Sequence, residues 1–565
     1  MHMYEFFLAD SLEKVFADTR PRPMLDCEIK SLQGARFAFQ LVYHAQPFSD
    51  CDWMQRFTVS VSGAPGKVRI RELGLVPSDL PALDQRDCGY LRTAPGLYPD
   101  VLLPYDGYIR PIPGQWRSLF IDFVVDADAR GLYDLTVTLE PEATSRLGNG
   151  QLVQRRAGVD VCKLNLCMDV VTAKLPKQTL LVTQWFHADC LANYYHCEVF
   201  SEHYWQILDS FITFAAQEAG MNMLLTPIFT PPLDTRSGGE RTTVQLVGIN
   251  REGDRYTFDW KHLRRWCALC KKAGIEHLEM AHLFTQWGAL FTPKIVATVD
   301  GMEEKIFGWH VSATDPRYRT FLEQFIPSLR TVLEQEGFGS DRIRFHISDE
   351  PNLDQLSDYL KAKAQVVDLL DGCIVMDALS NFEFYADKVV EHPVCASDHI
   401  KPFLDNNVAN LWVYYCVAQG VKVPNRFFSM PSSRNRIMGI LMYLYNIEGF
   451  LHWGYNFYNS QYSVEAIDPY RVTDCRLAFP SGDAFIVYPG KDYAPLSSLR
   501  NEVQVHGFED MQCLMLLEEL TSRDFVDALL HEHLSYRLSF DRYPLDACYL
   551  LQVRNRCLEE IKKHL

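Results

Sequence analysis

The sequence predicts an N-terminal antiparallel β-sandwich, a central (β/α)8-like barrel and a C-terminal helical extension, which combines the all-β and α/β classes. Three observations support this prediction. Strand patterns separated by Gly, Pro and Asp fill the first part of the chain, strands alternate with helices in the second, and helical periodicity marks the third. A chain of 565 residues is long enough for several domains. We therefore predict a sandwich domain at 1–172, a catalytic barrel at 173–490 and a helical cap at 491–565.

The N-terminal strands are recognised by alternating or β-branched runs. They are predicted at Arg36–Val42, Gln55–Val61, Lys67–Leu73, Trp116–Val125, Tyr133–Glu140 and Gln151–Val171. Such strands pack naturally as an antiparallel sandwich. The Gly- and Pro-rich residues 96–114, which include Tyr98, Tyr105 and Tyr108, are predicted as a long loop that either covers a neighbouring site or packs on the surface.

After a linker at residues 173–178, strand and helix patterns alternate. The eight predicted strands are Thr179–Trp185, Met221–Ile228, Ile275–Leu283, Arg342–Ser348, Cys373–Asp377, Val394–Ser397, Asn410–Cys416 and Gly449–Trp453. Eight such units favour a closed parallel barrel over an open sheet. Beyond residue 490 the amphipathic runs Leu499–Leu520 and Leu545–Leu565 predict helices that cap the barrel.

Two adjacent carboxylates, Asp349 and Glu350, follow the fourth predicted barrel strand, where functional residues of parallel barrels lie. Asp is also a common helix cap, but Asn352 and Gln355 already form a capping box for the helix that follows. Pro351 restricts Glu350 to extended geometry, so both acids lie outside that helix. Because consecutive strand residues point to opposite faces, the two acids share a target only if the backbone turns or bulges at the strand end.

Other predicted strand ends carry aromatic and polar side chains, and Gln286 and Trp287 lie just beyond the third. The residues predicted to bind substrate are Trp185, His282, His346, Asn381, Tyr414, Tyr415, His452, Trp453 and Tyr455. Aromatic faces pack on the C–H faces of sugars, while amides, imidazoles and carboxylates bind hydroxyl groups. The combination therefore predicts a carbohydrate site at one rim of the barrel.

Two carboxylates beside aromatic walls suggest glycoside hydrolysis, in which one acid protonates the departing oxygen. Adjacent acids favour a variant of this chemistry, in which Glu350 is the acid and Asp349 orients a 2-acetamido group whose carbonyl oxygen attacks C1. Two alternatives remain open. Glu350 could act with a distant acid such as Asp377 or Asp398, or the protein could bind glycans without catalysis.

The composition excludes several other functions. The formal net charge is −17, and no run of Lys or Arg is longer than a pair, which argues against nucleic-acid binding. No nucleotide motif is present, and Cys267 and Cys270 fit core packing better than a metal site, so we predict no metal and no cofactor. No stretch suits a membrane span or a signal peptide, which predicts a cytoplasmic protein without a membrane partner. The expected partner is an oligosaccharide or glycoconjugate substrate, and the oligomeric state is left open.

The sequence also resembles glycoside hydrolase family 123, whose domain is known as domain of unknown function 4091. The matching segments, in the family's order, are 346–351 (HISDEP), 449–456 (GFLHWGYN), 481–490 (SGDAFIVYPG), 499–500 and 506–510 (HGFED). The resemblance implies a retaining, exo-acting β-N-acetylgalactosaminidase with substrate assistance, in which Asp349 orients the acetamido group and Glu350 is the acid/base. It also implies a tyrosine that binds the acetamido oxygen, for which Tyr414, Tyr415 and Tyr455 are candidates.

Overall fold

Two packed sheets form the N-terminal region in the computed structural model, which describes residues 3–24, 28–47, 55–146, 152–154 and 159–565. The strands are β1 (Tyr4–Asp10), β2 (Glu28–Gln33), β3 (Arg36–Ala45), β4 (Phe57–Ser62), β5 (Arg69–Ser78), β6 (Gly96–Pro104), β7 (Trp116–Val124), β8 (Gly131–Pro141), β9 (Thr144–Arg146), β10 (Leu152–Gln154) and β11 (Cys162–Lys174). One sheet has the order β1-β3-β7-β5-β6 and the other β2-β11-β8-β4. Neighbouring strands are antiparallel except β2 and β11, which run parallel. Leu41, Ile121, Val137 and Met168 from the two inner faces share one core, which confirms the predicted sandwich.

The prediction of a long loop at residues 96–114 was wrong for its first part, because Gly96–Pro104 is strand β6, whereas residues 105–114 form no strand. Pro99 misled the prediction, since proline is excluded from central strands but accepted at a sheet edge, where β6 lies. Tyr98 is buried, and Tyr105 accepts a hydrogen bond from the Val59 amide. These tyrosines therefore pack within and beside the sandwich. In the predicted strand Gln151–Val171, Gln151 lies outside the described residues, as do residues 155–158.

The central region is a nearly closed barrel of eight parallel strands, as predicted. The strands of this region are β12 (Leu181–Gln184), β13 (Met223–Thr226), β14 (Gly248–Glu252), β15 (Arg255–Asp259), β16 (His277–Met280), β17 (Ile295–Val299), β18 (Met302–Phe307), β19 (Ile343–Phe345), β20 (Ile374–Leu379), β21 (His392–Ala396), β22 (Trp412–Tyr414) and β23 (Gly449–His452). The helices are α1 (Ala188–Tyr194), α2 (Glu202–Gln217), α3 (Lys261–Ala273), α4 (Pro316–Gln335), α5 (Leu356–Lys363), α6 (Glu383–Ala386), α7 (Lys401–Asp405) and α8 (Ser432–Leu444). The barrel order is β12-β23-β22-β21-β20-β19-β16-β13, while β14, β15, β17 and β18 form a separate sheet. Each of the eight predicted barrel strands corresponds to one observed strand.

The seam between β12 and β13 is bridged by one side chain. Asn222 Oδ1 accepts a hydrogen bond from the Val182 amide at 2.8 Å, and Asn222 Nδ2 donates to the Leu180 carbonyl at 3.0 Å. The Asn222 amide donates to the Val182 carbonyl at 3.2 Å. The side chain thus satisfies backbone groups that a regular ladder would otherwise pair.

The C-terminal elements pack between the sandwich and the barrel. They are β24 (Tyr488–Pro489), β25 (Pro495–Leu496), α9 (Leu499–Leu520), α10 (Arg523–His531) and α11 (Ala547–His564), and short 3-10 helices occur at Ser340–Arg342, Leu353–Gln355, Gln461–Ser463 and Lys491–Tyr493. Helices α8 and α9 approach so closely at Gly439 that a Cβ there would lie 1.8 Å from the Gly507 carbonyl oxygen. On its other side, α9 pairs Glu502 with Arg71 of the sandwich at 2.8 Å. The extension therefore joins the two larger regions, and the exact domain limits stay a prediction.

Among the helices in the described part of the chain, none is both long and apolar enough to cross a bilayer.

Candidate active site

The acidic pair lies where the chain leaves β19 and turns. The strand ends at Phe345, and Glu350 has a φ of 43°, in the left-handed region. The extended geometry predicted for Glu350 was therefore wrong, although the turn required to bring the two acids together is present. The Asp349 carbonyl accepts a hydrogen bond from the Trp287 amide at 3.0 Å, which fixes the turn. The predicted capping box of Asn352 and Gln355 is confirmed, so neither acid caps the next helix.

Both acids line a cavity of about 220 Å³ at the C-terminal end of the barrel. The other lining residues are Trp185, Leu233, Asp234, Gln286, Trp287, Ala378, Tyr414, Cys416, Val417, Leu451, Trp453, Gln461, Tyr462 and Phe479. Most of these side chains are aromatic or aliphatic, and the polar ones are few. Such a lining is typical of a small-molecule site in which a few polar groups fix the orientation of the ligand.

Asp349 has a buried carboxyl group. No hydrogen bond to its side chain is found among the described residues. Burial, followed by the neighbouring charge of Glu350, raises the pKa of Asp349 well above its usual value. The side-chain oxygens of Asp349 can therefore accept a hydrogen bond from a ligand.

Among the described residues, Glu350 has one side-chain hydrogen-bond partner. The Tyr414 hydroxyl donates a hydrogen bond to Glu350 Oε1 at 2.5 Å. Burial raises the pKa of Glu350 above its ordinary value, and the Tyr414 hydrogen bond offsets part of that rise. A carboxyl group with a raised pKa suits a general acid, because it holds its proton closer to neutral pH.

A second layer of charge lies beneath the pair, and we call Glu279, His346 and Asp377 the pocket-floor cluster. His346 Nε2 lies 2.7 Å from Glu279 Oε1, and its Nδ1 lies 3.3 Å from Asp377 Oδ1. Burial disfavours the charged imidazole, but the interactions with the two neighbouring carboxylates prevail and raise the pKa of His346 to about 10. The cluster therefore contains an imidazolium between two carboxylates, all three fully buried.

The pocket-floor cluster is connected to the cavity by Trp185. Trp185 Nε1 donates to Glu279 Oε1 at 2.7 Å, and the Thr183 hydroxyl donates to Glu279 Oε2 at 2.6 Å. Asp377 accepts from the Tyr359 hydroxyl at 2.5 Å and from the Ile347 amide at 3.0 Å. These hydrogen bonds hold the residues just before Asp349 in place.

Five of the residues predicted for the site line the cavity: Asp349, Glu350, Trp185, Tyr414 and Trp453. The other six lie away from its lining: His282, His346, Asn381, Tyr415, His452 and Tyr455. His282 stacks on His346 with 4.4 Å between ring centroids, and the hydroxyls of Tyr415 and Tyr455 donate to Asn435 and to the Phe211 carbonyl. Substrate contact by any of these residues stays a prediction.

Much of the cavity wall comes from loops that the sequence did not single out. Asp234 follows β13, Tyr462 and Phe479 follow β23, and Cys416 lies two residues beyond β22. Gln286 and Trp287 lie just beyond a predicted strand, so the sequence indicated them. The local sequence pattern gave no reason to assign Asp234 or Tyr462 to the site. Their approach depends on loop conformations that carry no simple sequence period.

A larger cavity of about 410 Å³ lies between the sandwich and the C-terminal helices. Several of its charged groups are paired: Arg436 Nε contacts Asp510 Oδ2 at 2.7 Å, and Arg22 contacts Asp546 Oδ1 at 3.6 Å. Neither acid of the pair lines it, and Phe37 and His506 are the aromatic residues in its described lining. We therefore place the chemistry in the smaller cavity.

A parallel barrel with an acidic pair and aromatic walls at its C-terminal end has the organisation of a glycoside hydrolase. Residues 185–517, more than half of the chain, match the model of the glycoside hydrolase 123 catalytic domain. The chain therefore belongs to glycoside hydrolase family 123.

Solved structures agree with this assignment at the level of the fold. The chain is similar to a family 123 glycoside hydrolase from Clostridium perfringens, determined to show the details of glycolipid glycan hydrolysis, with a TM-score of 0.72, 14% identity and coverage of 99% of this chain and 98% of that chain. A GH53 catalytic domain from Ignisphaera aggregans has 13% identity over 52% of this chain and 88% of that chain, but its TM-score of 0.29 supports no conclusion. No curated protein matches the chain.

Proposed function

We propose that the protein is a retaining, exo-acting glycoside hydrolase that removes β-linked N-acetylhexosamine, preferably N-acetylgalactosamine, by substrate-assisted catalysis. The observation that carries this proposal is the adjacency of Asp349 and Glu350 on the wall of one small cavity. Asp349 has a free acceptor and Glu350 has a raised pKa. These are the properties needed by an acetamido orienter and a general acid.

In the first step Glu350 protonates the glycosidic oxygen as the bond from C1 to that oxygen breaks. The carbonyl oxygen of the 2-acetamido group forms the new bond to C1, and Asp349 accepts a hydrogen bond from the acetamido N–H. In the second step water attacks C1, Glu350 takes its proton, and the bond from the acetamido oxygen to C1 breaks. Two displacements at C1 leave the anomeric configuration unchanged.

Tyr414 is the best candidate for the tyrosine that binds the acetamido oxygen. Among the three candidates it alone lines the cavity, whereas the hydroxyls of Tyr415 and Tyr455 donate to groups behind the wall. Its proton now points to Glu350. We propose that this hydrogen bond is exchanged for one to the acetamido oxygen when substrate binds.

The alternative partner acids are already engaged. Asp377 accepts hydrogen bonds from Tyr359 and from backbone amides, and Asp398 Oδ1 accepts from Gln419 Nε2 at 2.9 Å. Neither residue lines the cavity. This supports the acetamido group, rather than a distant carboxylate, as the nucleophile.

The substrate class follows from the size of the cavity and from the related enzyme. A cavity of about 220 Å³ suits one terminal sugar ring rather than an internal segment of a glycan. The Clostridium perfringens enzyme was studied in the hydrolysis of glycolipid glycans. We propose a glycolipid glycan or another glycoconjugate with a terminal β-linked N-acetylhexosamine as the substrate.

The test is a panel of p-nitrophenyl β-glycosides with and without a 2-acetamido group, with product stereochemistry followed by NMR. Turnover confined to acetamido sugars, with retention, is the expected result. Inversion, or equal rates on sugars that lack the acetamido group, would favour a two-acid mechanism instead. Binding without turnover across the panel would favour a non-catalytic glycan-binding protein.

A further inference from the structure

The cavity between the sandwich and the C-terminal helices, which we call the junction cavity, has the dimensions of a ligand site. Its volume is about 410 Å³, against about 220 Å³ for the cavity of the acidic pair. Small-molecule sites commonly measure about 300–1,000 Å³ and combine mainly apolar walls with a few polar groups that fix the ligand. The proposed reaction leaves the junction cavity without a role, since neither Asp349 nor Glu350 lines it.

Apolar side chains from both regions form the walls of the junction cavity. The sandwich contributes β2, β3 and the segment before β2, and the extension contributes α11. Packing the apolar part of a ligand against such walls is favourable, because it removes that surface from water. The apolar lining residues are Met24, Ile29, Phe37, Ala38, Ala547 and Leu551.

The polar residues of the junction cavity differ in exposure, which gives it an outer and an inner end. At the outer end Arg22 and Asp546, whose side chains are 65% and 59% exposed, lie 3.6 Å apart. Arg436, His506 and Glu509 are each only 6% exposed. The enclosed inner end is therefore polar, and the polar head of a ligand fits there.

His506, on α9, has ring nitrogens without partners at the inner end. Nδ1 is buried without a hydrogen-bond partner, and no partner of Nε2 is found among the described residues. Burial, followed by the charge of Arg436, lowers the pKa of His506 to about 3, so the ring is neutral and carries one N–H donor. Because buried polar groups normally have partners, this imidazole is suited to bind a ligand atom.

Two arginines at the inner end share one carboxylate. Asp510 Oδ2 accepts from Arg436 Nε at 2.7 Å, and Asp510 Oδ1 accepts from Arg436 Nη2 and Arg554 Nη1, each at 3.0 Å. Arg436 Nη1 and Arg554 Nη2 have no hydrogen-bond partner within the part of the chain that the structure describes. Both guanidinium groups therefore retain N–H donors for a ligand.

The inner acids of the lining are less available than these donors. Both oxygens of Glu509 accept from the Arg36 amide at 3.1 Å, and burial raises the pKa of Glu509 to about 7. Asp10 accepts from the Leu12 amide at 2.8 Å, and burial raises its pKa as well. Both shifts disfavour the carboxylate form. Unpaired donors therefore dominate the inner end, and charged guanidinium donors suit an anionic head group.

We propose that the junction cavity binds an amphipathic small molecule, whose apolar body packs between β3 and α11 and whose carboxylate accepts hydrogen bonds from Arg436, His506 and Arg554. A carboxylate accepts from several donors at once, whereas an alcohol accepts without charge and an amine brings donors to a place that already has them. The site is separate from the catalytic cavity and does not depend on the proposed reaction.

The test measures binding of three matched probes to the full chain by isothermal titration calorimetry. The probes are 4-phenylbutyrate, 4-phenylbutan-1-ol and 4-phenylbutylamine, which share an apolar body and differ in the head group. We expect 4-phenylbutyrate to bind at one site per chain, about tenfold tighter than the alcohol, with the amine weaker still. The melting temperature should rise with the concentration of 4-phenylbutyrate, because a ligand of the folded state stabilises it.

Variants of the head-group end and of the wall locate the binding. His506→Phe removes the ring nitrogens without breaking a protein hydrogen bond found in the structure, and it should weaken 4-phenylbutyrate about tenfold while leaving the alcohol nearly unchanged. His506→Gln, which keeps a polar donor, should restore most of the affinity. Leu551→Trp fills the cavity from α11 and should abolish binding of every probe.

Ala547→Phe fills the same space from one turn earlier on α11, so it repeats the test if Leu551→Trp impairs folding. The matched control is Leu360→Trp, since Leu360 is 44% exposed on α5 and lies outside the lining. Trp453→Ala alters the catalytic cavity instead, and both controls should bind 4-phenylbutyrate like the wild-type protein.

Three results would overturn the proposal. These are the absence of saturable 4-phenylbutyrate binding at millimolar concentration, equal affinity for the carboxylate and the alcohol, and binding that persists in folded Leu551→Trp or Ala547→Phe protein. None of them bears on hydrolysis, so the proposed function would stand.

Discussion

Two fully buried histidines lie at the same end of the barrel but in opposite electrostatic surroundings. His346 directly follows β19, and His452 is the last residue of β23. His346 lies between the carboxylates of Glu279 and Asp377, which raise its pKa to about 10 despite burial. His452 lies among arginines, and burial followed by the charges of Arg426 and Arg500 lowers its pKa well below the usual value. One imidazole is therefore a cation and the other is neutral.

The two surroundings also differ in how their charges are satisfied. We call Asp100, Arg426, His452, Asp483 and Arg500 the arginine cluster. Within it Arg500 binds Asp100 through Nε and a terminal nitrogen, each at 2.8 Å, which joins β6 of the sandwich to α9. Near the pocket-floor cluster, Asp349 instead has no side-chain hydrogen-bond partner among the described residues. The pairing of Arg500 with Asp100 makes the junction costly to break, whereas an acid without a hydrogen-bond partner in a cavity is available for chemistry.

Replacing His346 with Gln is expected to have the largest effect. Glu279 and Asp377 would remain buried without their cation, and breaking a buried pair in this way costs about 3–5 kcal/mol. His346 has a folded pKa of about 10 against a model value of 6.5, so its contribution is fully present below pH 6.5 and is lost as the pH rises through 10. Denaturation across pH should therefore show a wild-type advantage that shrinks at high pH.

The pH profile of kcat/KM gives His346 a second readout. The imidazolium lowers the pKa of Asp349, so its removal should move the acidic limb to higher pH. The control is His399→Gln, since His399 is 53% exposed beside Asp398 and should affect stability little. An unchanged acidic limb in His346→Gln would show that the pocket-floor cluster does not act on Asp349.

Arg500→Lys tests the arginine cluster. Lysine cannot reproduce two parallel hydrogen bonds to Asp100, and loss of a charged hydrogen bond in a buried site costs about 1.5–3 kcal/mol. Urea denaturation should show this loss, while both limbs of the pH profile stay in place. A shift of either limb of the pH profile would show that the arginine cluster also affects the catalytic acids, as the pocket-floor cluster is expected to.

The variant Tyr414→Phe should change catalytic activity, with a smaller free-energy effect than the two variants above. The Tyr414 hydrogen bond lowers the pKa of Glu350, so its removal raises that pKa further. Because the acid must be protonated, the basic limb of kcat/KM should move to higher pH. Loss of the proposed acetamido contact should also reduce kcat/KM by about tenfold, which corresponds to roughly 1.4 kcal/mol. A basic limb that moves to lower pH would contradict the assignment of Glu350 as the acid.

Asp349→Asn should have the smallest effect on the fold, and it should be stabilising. The folded pKa of Asp349 is raised, so burial favours the protonated form, and this contribution is lost as the pH rises above the model value of 3.8. The neutral amide of asparagine carries no such pH-dependent cost, so the melting temperature at pH 7 should rise. The gain should disappear in acid, and a lower melting temperature at pH 7 would show that Asp349 has a stabilising partner.

The barrel and the position of the acidic pair were predictable from the sequence, because strand period and strand-end position are local properties. The side-chain directions beyond the strands were not. Alternation places the neighbours Tyr414 and Tyr415 on opposite sides, but it does not say which of them lines the cavity and which faces Asn435. Asp234 and Tyr462 are far apart in the sequence and meet through backbone conformations with positive φ, for which the pattern gives no signal.

The central claim is that Glu350 is the acid and Asp349 orients the acetamido group. The most direct measurement is kcat/KM for Glu350→Gln and Asp349→Asn on two β-N-acetylgalactosaminides, one with a sugar and one with a dinitrophenyl leaving group. We predict that Glu350→Gln loses about 10²–10⁴-fold on the sugar but little on dinitrophenolate, which needs no proton, while Asp349→Asn loses similar activity on both. Wild-type rates in both variants, or a loss in Glu350→Gln that is independent of the leaving group, would contradict the assignment.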